Sequence, residues 1–489
     1  RSNMVFPIAG GTQDTSYEIE NALRFNRGDS PKVSRSISSS GSARNATLSV
    51  WVKRGVFGSR QQIYSNKTAD SGFSGMNMYF NASNDRLYID HHDGSSNISL
   101  YTTQVFKDAS AWYHIVHTID TTTGTATNRL RLYINGTEVT DFATDQNPSQ
   151  NADLALTNST GDQSIGDDPR DSNDIYSGYM AEFNFVDGTT LDPTYFGETN
   201  NNGVWVPKKP DVSSYGTNGF FLEFKQTGTS ANSSGIGADT SGNDNHMSVT
   251  NLAATDVTTD TPTNNFCTLN PLIGGAVYTA PSYSEGNLKW SSSSNSSFGS
   301  SGIGTIAPNS GKWYWESKIT SSIINGVGSG ARVMEGYYPE FNNDSFFAGN
   351  TSQSGGVGYS MNYNNGKPQT NSAETTTNQG NAVSQNDIVG IAMDLDNGAI
   401  YYSINGTFQA SGDPTSGSSK TNAQHSFTVD GSYAPAVYGY QSSVFEMNFG
   451  NAPFSISSGN SDANGYGNFE YSVPSGYYSI NTKNLAEFG

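Results

Sequence analysis

Two short segments of this chain share one turn motif. Leu132–Val139 reads LYINGTEV and Tyr402–Gln409 reads YSINGTFQ, so each has an Asn-Gly pair flanked by apolar and aromatic residues. An Asn-Gly pair supplies the positive φ angles of a tight two-residue β-hairpin turn. The two pairs lie 270 positions apart (405 − 135 = 270), too far for a solenoid repeat. The motif therefore predicts two separate all-β domains, each with such a hairpin.

The composition supports this fold class. Charged residues make up 14% of the 489 residues and aromatics 12%, with Gly, Ser, Thr and Asn abundant in the remainder. Aromatic and Thr-rich segments between Gly, Asn and Ser clusters suit pleated sheets joined by tight turns. So many aromatics exclude disorder for most of the chain. We predict an all-β protein of two β-sandwich (jelly-roll type) domains joined by a long polar connector.

The net charge and the cysteine count limit the partners. A formal charge of −19 argues against nucleic acid or an anionic membrane surface, because both require clustered Lys and Arg. No apolar run reaches membrane-spanning length, so no membrane insertion is expected, and no secretory signal pattern is visible. Cys267 is the single cysteine, which excludes an intrachain disulfide and is ordinary for a protein made in a bacterial cytoplasm.

Strand signals and linkers divide the chain into five parts. Strands are predicted at 46–53 and 112–119 in the first half, and at 312–319 and 387–394 in the second. Pro207–Pro210 (PKKP) interrupts the pattern, and a polar stretch follows. The predicted parts are an N-terminal arm at 1–14, a first sandwich at 15–206, a connector packing partly on it at 207–270, a second sandwich at 271–460 and a C-terminal tail at 461–489.

The first block resembles laminin-G or concanavalin-A-like jelly rolls. The resemblance rests on the order of four segments: Thr47–Lys53 (TLSVWVK), Trp112–Asp120 (WYHIVHTID), Arg131–Gly136 (RLYING) and Gly178–Phe185 (GYMAEFNF). It implies that the Trp-Tyr-His strand and the first Asn-Gly hairpin lie in the curved sheets of a sandwich.

The second block is similar to SPRY domains. Its segments follow the order of the SPRY core strands: Lys312–Glu316 (KWYWE), Gly356–Tyr359 (GVGY), Asp387–Asp394 (DIVGIAMD), Asn397–Asn405 (NGAIYYSIN), Tyr433–Tyr438 (YAPAVY) and Phe449-Gly450. With the intervening Asp239–Asn251 and Thr261–Leu272, the combination resembles structural proteins of marine tailed bacteriophages. Both folds are generic scaffolds, so the fold alone assigns no function.

Paired carboxylates are the main candidates for catalysis. Some carbohydrate-cleaving enzymes use this jelly roll with two carboxylates across a sugar cleft, and on a strand such acids must alternate to share a face. Glu18 and Glu20 alternate, but they lie at the domain edge and no further acid follows in phase. Glu316 follows Trp315, where a core-strand acid at a sheet end is the commoner interpretation. We therefore predict no enzymatic activity and no catalytic residues.

Histidine spacing does not predict a metal site. His91 and His92 are adjacent, and His114 and His117 are three apart, so each pair would point to opposite faces of an extended strand. His246 and His425 add no ligand spacing, and zinc is not predicted.

An acidic loop is a candidate calcium site. Asp167, Asp168, Asp171 and Asp174 (GDDPRDSND) offer hard oxygen ligands, and laminin-G-like domains often hold calcium at the sandwich rim. A solvated acidic turn is the favoured alternative in so acidic a chain. We predict no cofactor, with calcium as the open alternative and the metal unknown.

Two loops of the second block have the mixture of aromatic, Asn and Asp side chains that suits sugars. They are Glu335–Phe347 (EGYYPEFNNDSFF) and Tyr359–Lys367 (YSMNYNNGK). Packing of these aromatics within the loops or a subunit interface is the favoured alternative. Arg27-Gly28-Asp29 spells an integrin-type tripeptide, but it follows a predicted strand and a turn is the default interpretation.

These observations and the resemblance lead to one functional hypothesis with two alternatives. The hypothesis is a non-enzymatic virion structural protein of a tailed phage, either a tail fibre, an appendage or a head decoration. It would be made in the bacterial host cytoplasm, form homo-oligomers, contact other virion proteins and attach to a host surface or glycan. The alternatives are a bacterial carbohydrate-binding module protein and a polysaccharide depolymerase.

Overall fold

The structure, a computed structural model, describes residues 17–67, 75–92, 96–156, 161–168, 174–273, 280–292, 300–323, 327–334, 358–370, 373–374, 380–439 and 441–489. The described residues fall into two compact units, 17–263 and 264–489. Each unit is a β-sandwich with its own hydrophobic core. The predicted all-β class with two sandwiches is confirmed, and the predicted arm at 1–14 lies outside the described residues.

The first domain has two large antiparallel sheets. One sheet has the strand order β10-β9-β8-β3-β13-β1-β18 with β16 also paired to β13, and the other has the order β11-β7-β6-β5-β4-β12-β2-β17. The strands are β1 Ala22–Phe25, β2 Lys32–Ser36, β3 Asn45–Arg54, β4 Gln61–Lys67, β5 Gly75–Phe80, β6 Arg86–His92, β7 Asn97–Val105, β8 Trp112–Asp120, β9 Leu130–Ile134, β10 Thr137–Glu138, β11 Phe142–Asp145, β12 Asp162–Ile165, β13 Gly178–Asp187, β14 Gly197–Thr199, β15 Trp205–Pro207, β16 Phe220–Leu222, β17 Ser248–Thr250 and β18 Val257–Thr258.

Alternation along the strands places the first core between the two sheets. In β6, Leu87, Ile89 and His91 are buried while the residues between them are half-buried. All ten residues of β13 are buried, because chain segments also cover the outer face of its sheet. Half-burial of alternate residues of β6 shows that the outer face of the second sheet is partly accessible at this strand, whereas β5 is buried along its length.

The second domain also pairs two sheets. Their orders are β19-β20-β32-β22-β27-β28-β29, with β30 and β33 attached, and β21-β31-β23-β24-β25-β26. The strands and helix are β19 Ser282–Ser284, β20 Lys289–Ser291, β21 Ser300–Ile303, β22 Lys312–Ile319, β23 Gly328–Met334, β24 Gly358–Asn362, β25 Pro368–Thr370, β26 Ala373–Glu374, β27 Ile388–Asp394, β28 Ala399–Ile404, β29 Thr407–Phe408, β30 His425–Ser426, β31 Ser432–Gly439, β32 Val444–Asn448, β33 Tyr478–Ser479 and α1 Thr482–Phe488.

Short 3₁₀ turns complete the two domains. They lie at Arg27–Asp29, Ala126–Asn128, Pro193–Tyr195, Ala254–Asp256, Gln409–Ser411 and Gly417–Ser419. Among the described residues, no helix is long and apolar enough to cross a membrane.

Both Asn-Gly hairpins form as predicted. Asn135 and Gly136 have φ angles of 48° and 75°, and Asn405 and Gly406 have φ angles of 48° and 79°. The first pair joins β9 to β10, and the second joins β28 to β29. In each turn the Asn side-chain oxygen accepts a backbone N–H from the neighbouring strand, from His114 at 2.8 Å and from Ile388 at 3.0 Å.

Two predicted boundaries differ from the observed units. The segment predicted as a connector at 207–270 contributes β16 to the first domain, with Phe220, Leu222 and Met247 in its core. The first unit therefore extends to residue 263. The predicted tail at 461–489 contains β33, which pairs in parallel with β22, and Phe469 and Tyr477 are buried against the second sandwich.

Candidate functional site

A hydrogen-bonded cluster of tyrosines lies on the outer face of the first domain's second sheet, where Tyr79 is buried and Tyr88 and Tyr101 are half-buried. Tyr79 donates its hydroxyl proton to Asp90 Oδ2 at 2.9 Å, and Tyr101 donates to Asp90 Oδ1 at 2.9 Å. Ser99 also donates to Asp90 Oδ1, at 2.7 Å. Tyr88 stacks on Tyr101 with ring centroids 3.7 Å apart and an interplanar angle of 10°. These residues, on β5, β6 and β7, are named the Tyr–Asp cluster.

The sheet register leaves the second ring face of the half-buried Tyr101 without an aromatic neighbour among the described residues, and we call it the uncovered face. Tyr88 lies opposite Tyr101, and its other side is bordered by Tyr79 with ring centroids 5.6 Å apart. On its far side, Tyr101 lies opposite Thr144 of β11, which is too short to cover an aromatic ring. Burial raises the pKa of the Tyr101 hydroxyl, and the nearby Asp90 carboxylate adds to the shift. The hydroxyl therefore stays protonated and remains a donor to Asp90.

Arg60 connects this cluster to the acidic loop that is the candidate calcium site. Its guanidinium lies 3.8 Å from the ring centroid of Tyr79. The same group forms ion pairs with Asp174 at 3.1 Å and with Asp168 at 3.8 Å. Lys32 lies 3.8 Å from Asp167. The described acids of the loop thus face basic side chains.

The remaining acid of that loop, Asp171, lies outside the described residues. Within the described part of the chain, no group of three or more His, Cys, Asp or Glu side chains has the geometry to hold a metal ion. The absence of a cofactor stays a prediction, and calcium binding by this loop stays its open alternative.

A shallow groove of about 380 Å³ lies at the rim of the first domain and begins on β7 at Thr103, two residues beyond Tyr101. Register shifts between β6 and β7 and between β7 and β11 place β-bulges beside it, and bulges bend strands at sheet edges. Thr103 donates to the Asp141 carboxylate at 2.8 Å across it. The groove is lined by Thr103, Gln104, Ile134, Asn135, Thr137, Glu138, Val139, Thr140 and Asp141.

Two histidines meet inside the first core. His91 Nε2 of β6 lies 2.8 Å from His117 Nε2 of β8, and His117 Nδ1 lies 2.8 Å from the Arg131 carbonyl oxygen. A carbonyl only accepts, so His117 carries its proton on Nδ1 and accepts at Nε2 from the Nε2–H of His91. Burial lowers the pKa of His117 to about 4 and that of His91 well below its usual value. The pair is therefore neutral near pH 7.

His114 occupies the opposite face of β8, as the strand spacing predicts. Its ring stacks on Trp51 with centroids 4.5 Å apart. Trp205 Nε1–H donates to His114 Nδ1 at 2.9 Å, so Nε2–H donates to Ser49 Oγ at 2.9 Å. Burial lowers the pKa of His114 to about 3. Trp205 also covers Gly136, where an added Cβ would lie 2.3 Å from the indole ring.

A buried acid that the sequence did not single out lies on β13. Glu182 is 3% exposed, has a φ of 44° at a bulge in β13 and accepts a hydrogen bond from the Tyr17 hydroxyl. Burial raises the pKa of Glu182 to about 8, and Glu223 adds to the shift. Lys225 bridges Glu223 at 2.9 Å and Glu20 at 3.7 Å. Glu20 thus belongs to an acidic group near Glu182.

In the second domain, Glu316 holds the C-terminal segment against the sandwich. Its side chain is buried and accepts backbone N–H groups from Glu470 at 3.1 Å and from Tyr471 at 2.9 Å. Asn448 Nδ2 donates to it at 3.0 Å. Burial raises the pKa of Glu316.

The two loops predicted to suit sugars give no assembled site among the described residues. Glu335–Phe347 lies outside them. In Tyr359–Lys367, Tyr363 is buried in the core and bonds with Ser329 at 2.6 Å. His425 Nε2–H donates to the Ser360 carbonyl at 3.0 Å, and burial lowers the pKa of His425 to about 4.

The integrin-type tripeptide forms a turn. Arg27–Asp29 is a single 3₁₀ turn capped by Asn26, and Asn26 Nδ2 donates to the Asp29 carboxylate at 2.7 Å. The Arg27 guanidinium donates to the Arg60 carbonyl at 3.0 Å. Both charged ends of the tripeptide are therefore engaged within the domain.

Comparisons with known proteins identify both sandwiches. Residues 27–193 match the family described as the concanavalin A-like lectin/glucanases superfamily, and residues 312–452 match the SPRY domain. The chain combines a concanavalin A-like domain with a SPRY domain. A search among curated proteins finds no match.

Two solved structures are similar to parts of the chain. The SPRY domain of human HERC1 has 14% identity and a TM-score of 0.27, covering 37% of this chain and 96% of that chain. The native heptameric SAP-like pentraxin from Limulus polyphemus has 16% identity and a TM-score of 0.27, covering 36% and 80%. At these TM-scores neither likeness supports a functional argument.

Proposed function

We propose that this protein is a non-enzymatic binding protein whose first domain binds a glycan at the Tyr–Asp cluster. A sugar ring offers apolar C–H faces together with hydroxyls, and it needs an aromatic face beside polar groups. The uncovered face of Tyr101 beside Asp90 supplies both. Because Asp90 holds the Tyr79 and Tyr101 hydroxyls in place, little side-chain entropy is lost on binding.

The test is a glycan array followed by titration calorimetry on the ligands that bind. Tyr101→Ala removes the uncovered ring and is expected to weaken binding at least about tenfold, a loss of about 1.4 kcal/mol. Tyr195→Ala is the matched control, because Tyr195 is a half-buried tyrosine of the same domain that packs in a different apolar cluster. Equal binding by wild type and Tyr101→Ala would contradict the proposal.

We also propose that this binding serves a tailed-phage virion, as a tail fibre, appendage or head decoration that forms homo-oligomers. The support is the resemblance of the two-domain combination to structural proteins of such phages. Two sandwiches with large aromatic cores also provide stability outside a cell without disulfides. In this role the SPRY domain would contact other virion proteins. If virions purified from an infected culture lack this protein, and it is recovered only in the fraction without virions, this role is contradicted.

A polysaccharide depolymerase is the second candidate, and Glu182 is the observation that favours it. An acid with a pKa of about 8 is protonated near neutral pH, as a general acid of glycoside hydrolysis must be. Reducing-sugar release from host polysaccharide, abolished by Glu182→Gln, would replace the non-enzymatic proposal. Glycan binding without sugar release would support the non-enzymatic proposal.

A further inference from the structure

We infer that the first domain takes an uncharged oligosaccharide of at least two rings, which runs from the uncovered face of Tyr101 into the rim groove. This inference rests on the proposed glycan binding and adds the ligand's length and charge. It follows from the position of the groove, from its polar lining and from the charges around it.

The length follows from two adjoining surfaces. The face of Tyr101 accommodates one ring beside Thr144, and the groove begins at Thr103, two residues further along β7. Two residues of a strand span about 6.6 Å, close to the width of one sugar ring. A ring stacked on Tyr101 therefore leaves its neighbour in the chain at the groove. Occupying the groove requires at least a second ring.

The groove is built to bond hydroxyl groups. Thr103 Oγ1 already donates to Asp141 Oδ2 at 2.8 Å, so the remaining lone pairs of that carboxylate can accept from a ligand. Glu138 is the second acid of the lining, and its side chain is 42% exposed. Ile134 and Val139 supply apolar contact for the ring C–H groups. This combination suits a sugar hydroxyl array.

The charges disfavour sulfated and uronic-acid chains. Glu138 and Asp141 lie in the groove, and the described lining contains no Lys or Arg. Arg131 lies 3.5 Å from Glu138, and Arg60 pairs with two aspartates, so both of these cations are already neutralised. Arg86, opposite Val105, and Lys107, which pairs with Asp85 at 3.2 Å, are further cations near this edge. Because Arg131 already balances Glu138, an anion in the groove would face mainly the Asp141 carboxylate, for which the described residues show no ion pair.

The test uses uncharged gluco-, manno- and galacto-oligosaccharides of one to six rings, with matched sets carrying sulfate or uronate groups. For the wild-type chain we expect affinity to rise at least about tenfold from one ring to three and then to level off. The matched anionic sets should bind at least about tenfold more weakly. Thr103→Val and Asp141→Asn should remove the gain from the added rings, whereas Tyr195→Ala, in a different apolar cluster of the same domain, should keep it.

The outcomes separate the two proposals. If no glycan binds, or Tyr101→Ala has no effect, the proposed function itself fails. If glycans bind but affinity does not depend on length, or if the anionic sets bind as well as the uncharged ones, only this inference is overturned. In the case where the anionic oligosaccharides bind as well as the uncharged ones, loss of their binding in Arg86→Gln would show that Arg86 binds them. Circular dichroism of each variant checks that it is folded.

Discussion

Acid should destabilise the first domain through His114, and a single substitution should measure the effect. The folded ring is neutral, since Trp205 donates to Nδ1 while Nε2–H donates to Ser49. Protonation of His114 at Nδ1 would set its new N–H against the N–H of Trp205. Burial already lowers the pKa of His114 to about 3. In the unfolded chain a histidine titrates near pH 6.5. The unfolded state therefore takes up a proton first as the pH falls.

The magnitude follows from this difference in pKa. The stabilising contribution is fully present above about pH 6.5 and is lost as the pH falls from there toward about 3. Its slope is about 1.4 kcal/mol per pH unit, so about 2 kcal/mol is lost by pH 5. Glu182 acts in the opposite sense, because a pKa of about 8 means that its contribution is lost as the pH rises from about 4.5 to 8. A comparison of variants is needed to isolate His114.

The measurement is urea unfolding at several pH values between 5 and 8. Each sample is labelled by a brief hydrogen-exchange pulse at one fixed pH, and peptides from β8 report the first domain by mass spectrometry. Below about pH 6.5, His114→Gln should flatten the pH dependence of the unfolding free energy by about 1.4 kcal/mol per pH unit. Ser49→Ala, which keeps the titrating ring, should lower stability with an unchanged slope. An unchanged slope in His114→Gln would refute the reasoning.

Two further substitutions test packing and buried hydrogen bonds. Gly136→Ala should cost about 2 kcal/mol more than Gly203→Ala in urea unfolding of the first domain; both glycines have positive φ, but only the Gly136 position is covered by Trp205. Similar losses would contradict that packing. Glu316→Ala should destabilise the second domain by about 3 kcal/mol and speed exchange of the Glu470 and Tyr471 amides, because two buried donors lose their acceptor. Glu316→Gln, which keeps one carbonyl acceptor, should lose less, and unchanged exchange in Glu316→Ala would refute the role.

Local patterns predict the strands well where hydrophobic alternation and turn chemistry agree. The strand predicted at 312–319 is observed at Lys312–Ile319, and the one predicted at 387–394 is observed at Ile388–Asp394. Both Asn-Gly turns are local as well, since the required φ angles depend on two residues. These features need no knowledge of which strands become neighbours.

The candidate site depends on strand register, which these local patterns do not contain. Tyr79, Asp90 and Tyr101 lie on three strands, and they meet because β5, β6 and β7 pair in one particular register. The histidines show the same limit. The strand rule correctly places His114 and His117 on opposite faces, but the partner of His117 is His91 from the facing sheet. A search restricted to spacing along the sequence finds neither the cluster nor the pair.

The segments interpreted from sequence as a connector and a tail show a different limit. They carry few periodic apolar residues, and they are held in place both by single buried side chains such as Phe220 and Phe469 and by carboxylates that accept backbone N–H groups. Glu316 accepts the amides of Glu470 and Tyr471, and Asp187 accepts the Asn218 amide at 3.0 Å. Hydrophobic periodicity detects strands that bury apolar side chains, but it does not detect chain segments that are attached to a sandwich by such hydrogen bonds. A polar, Gly-rich stretch next to a sandwich should therefore be checked against buried acids on the adjoining strands before it is assigned as a linker.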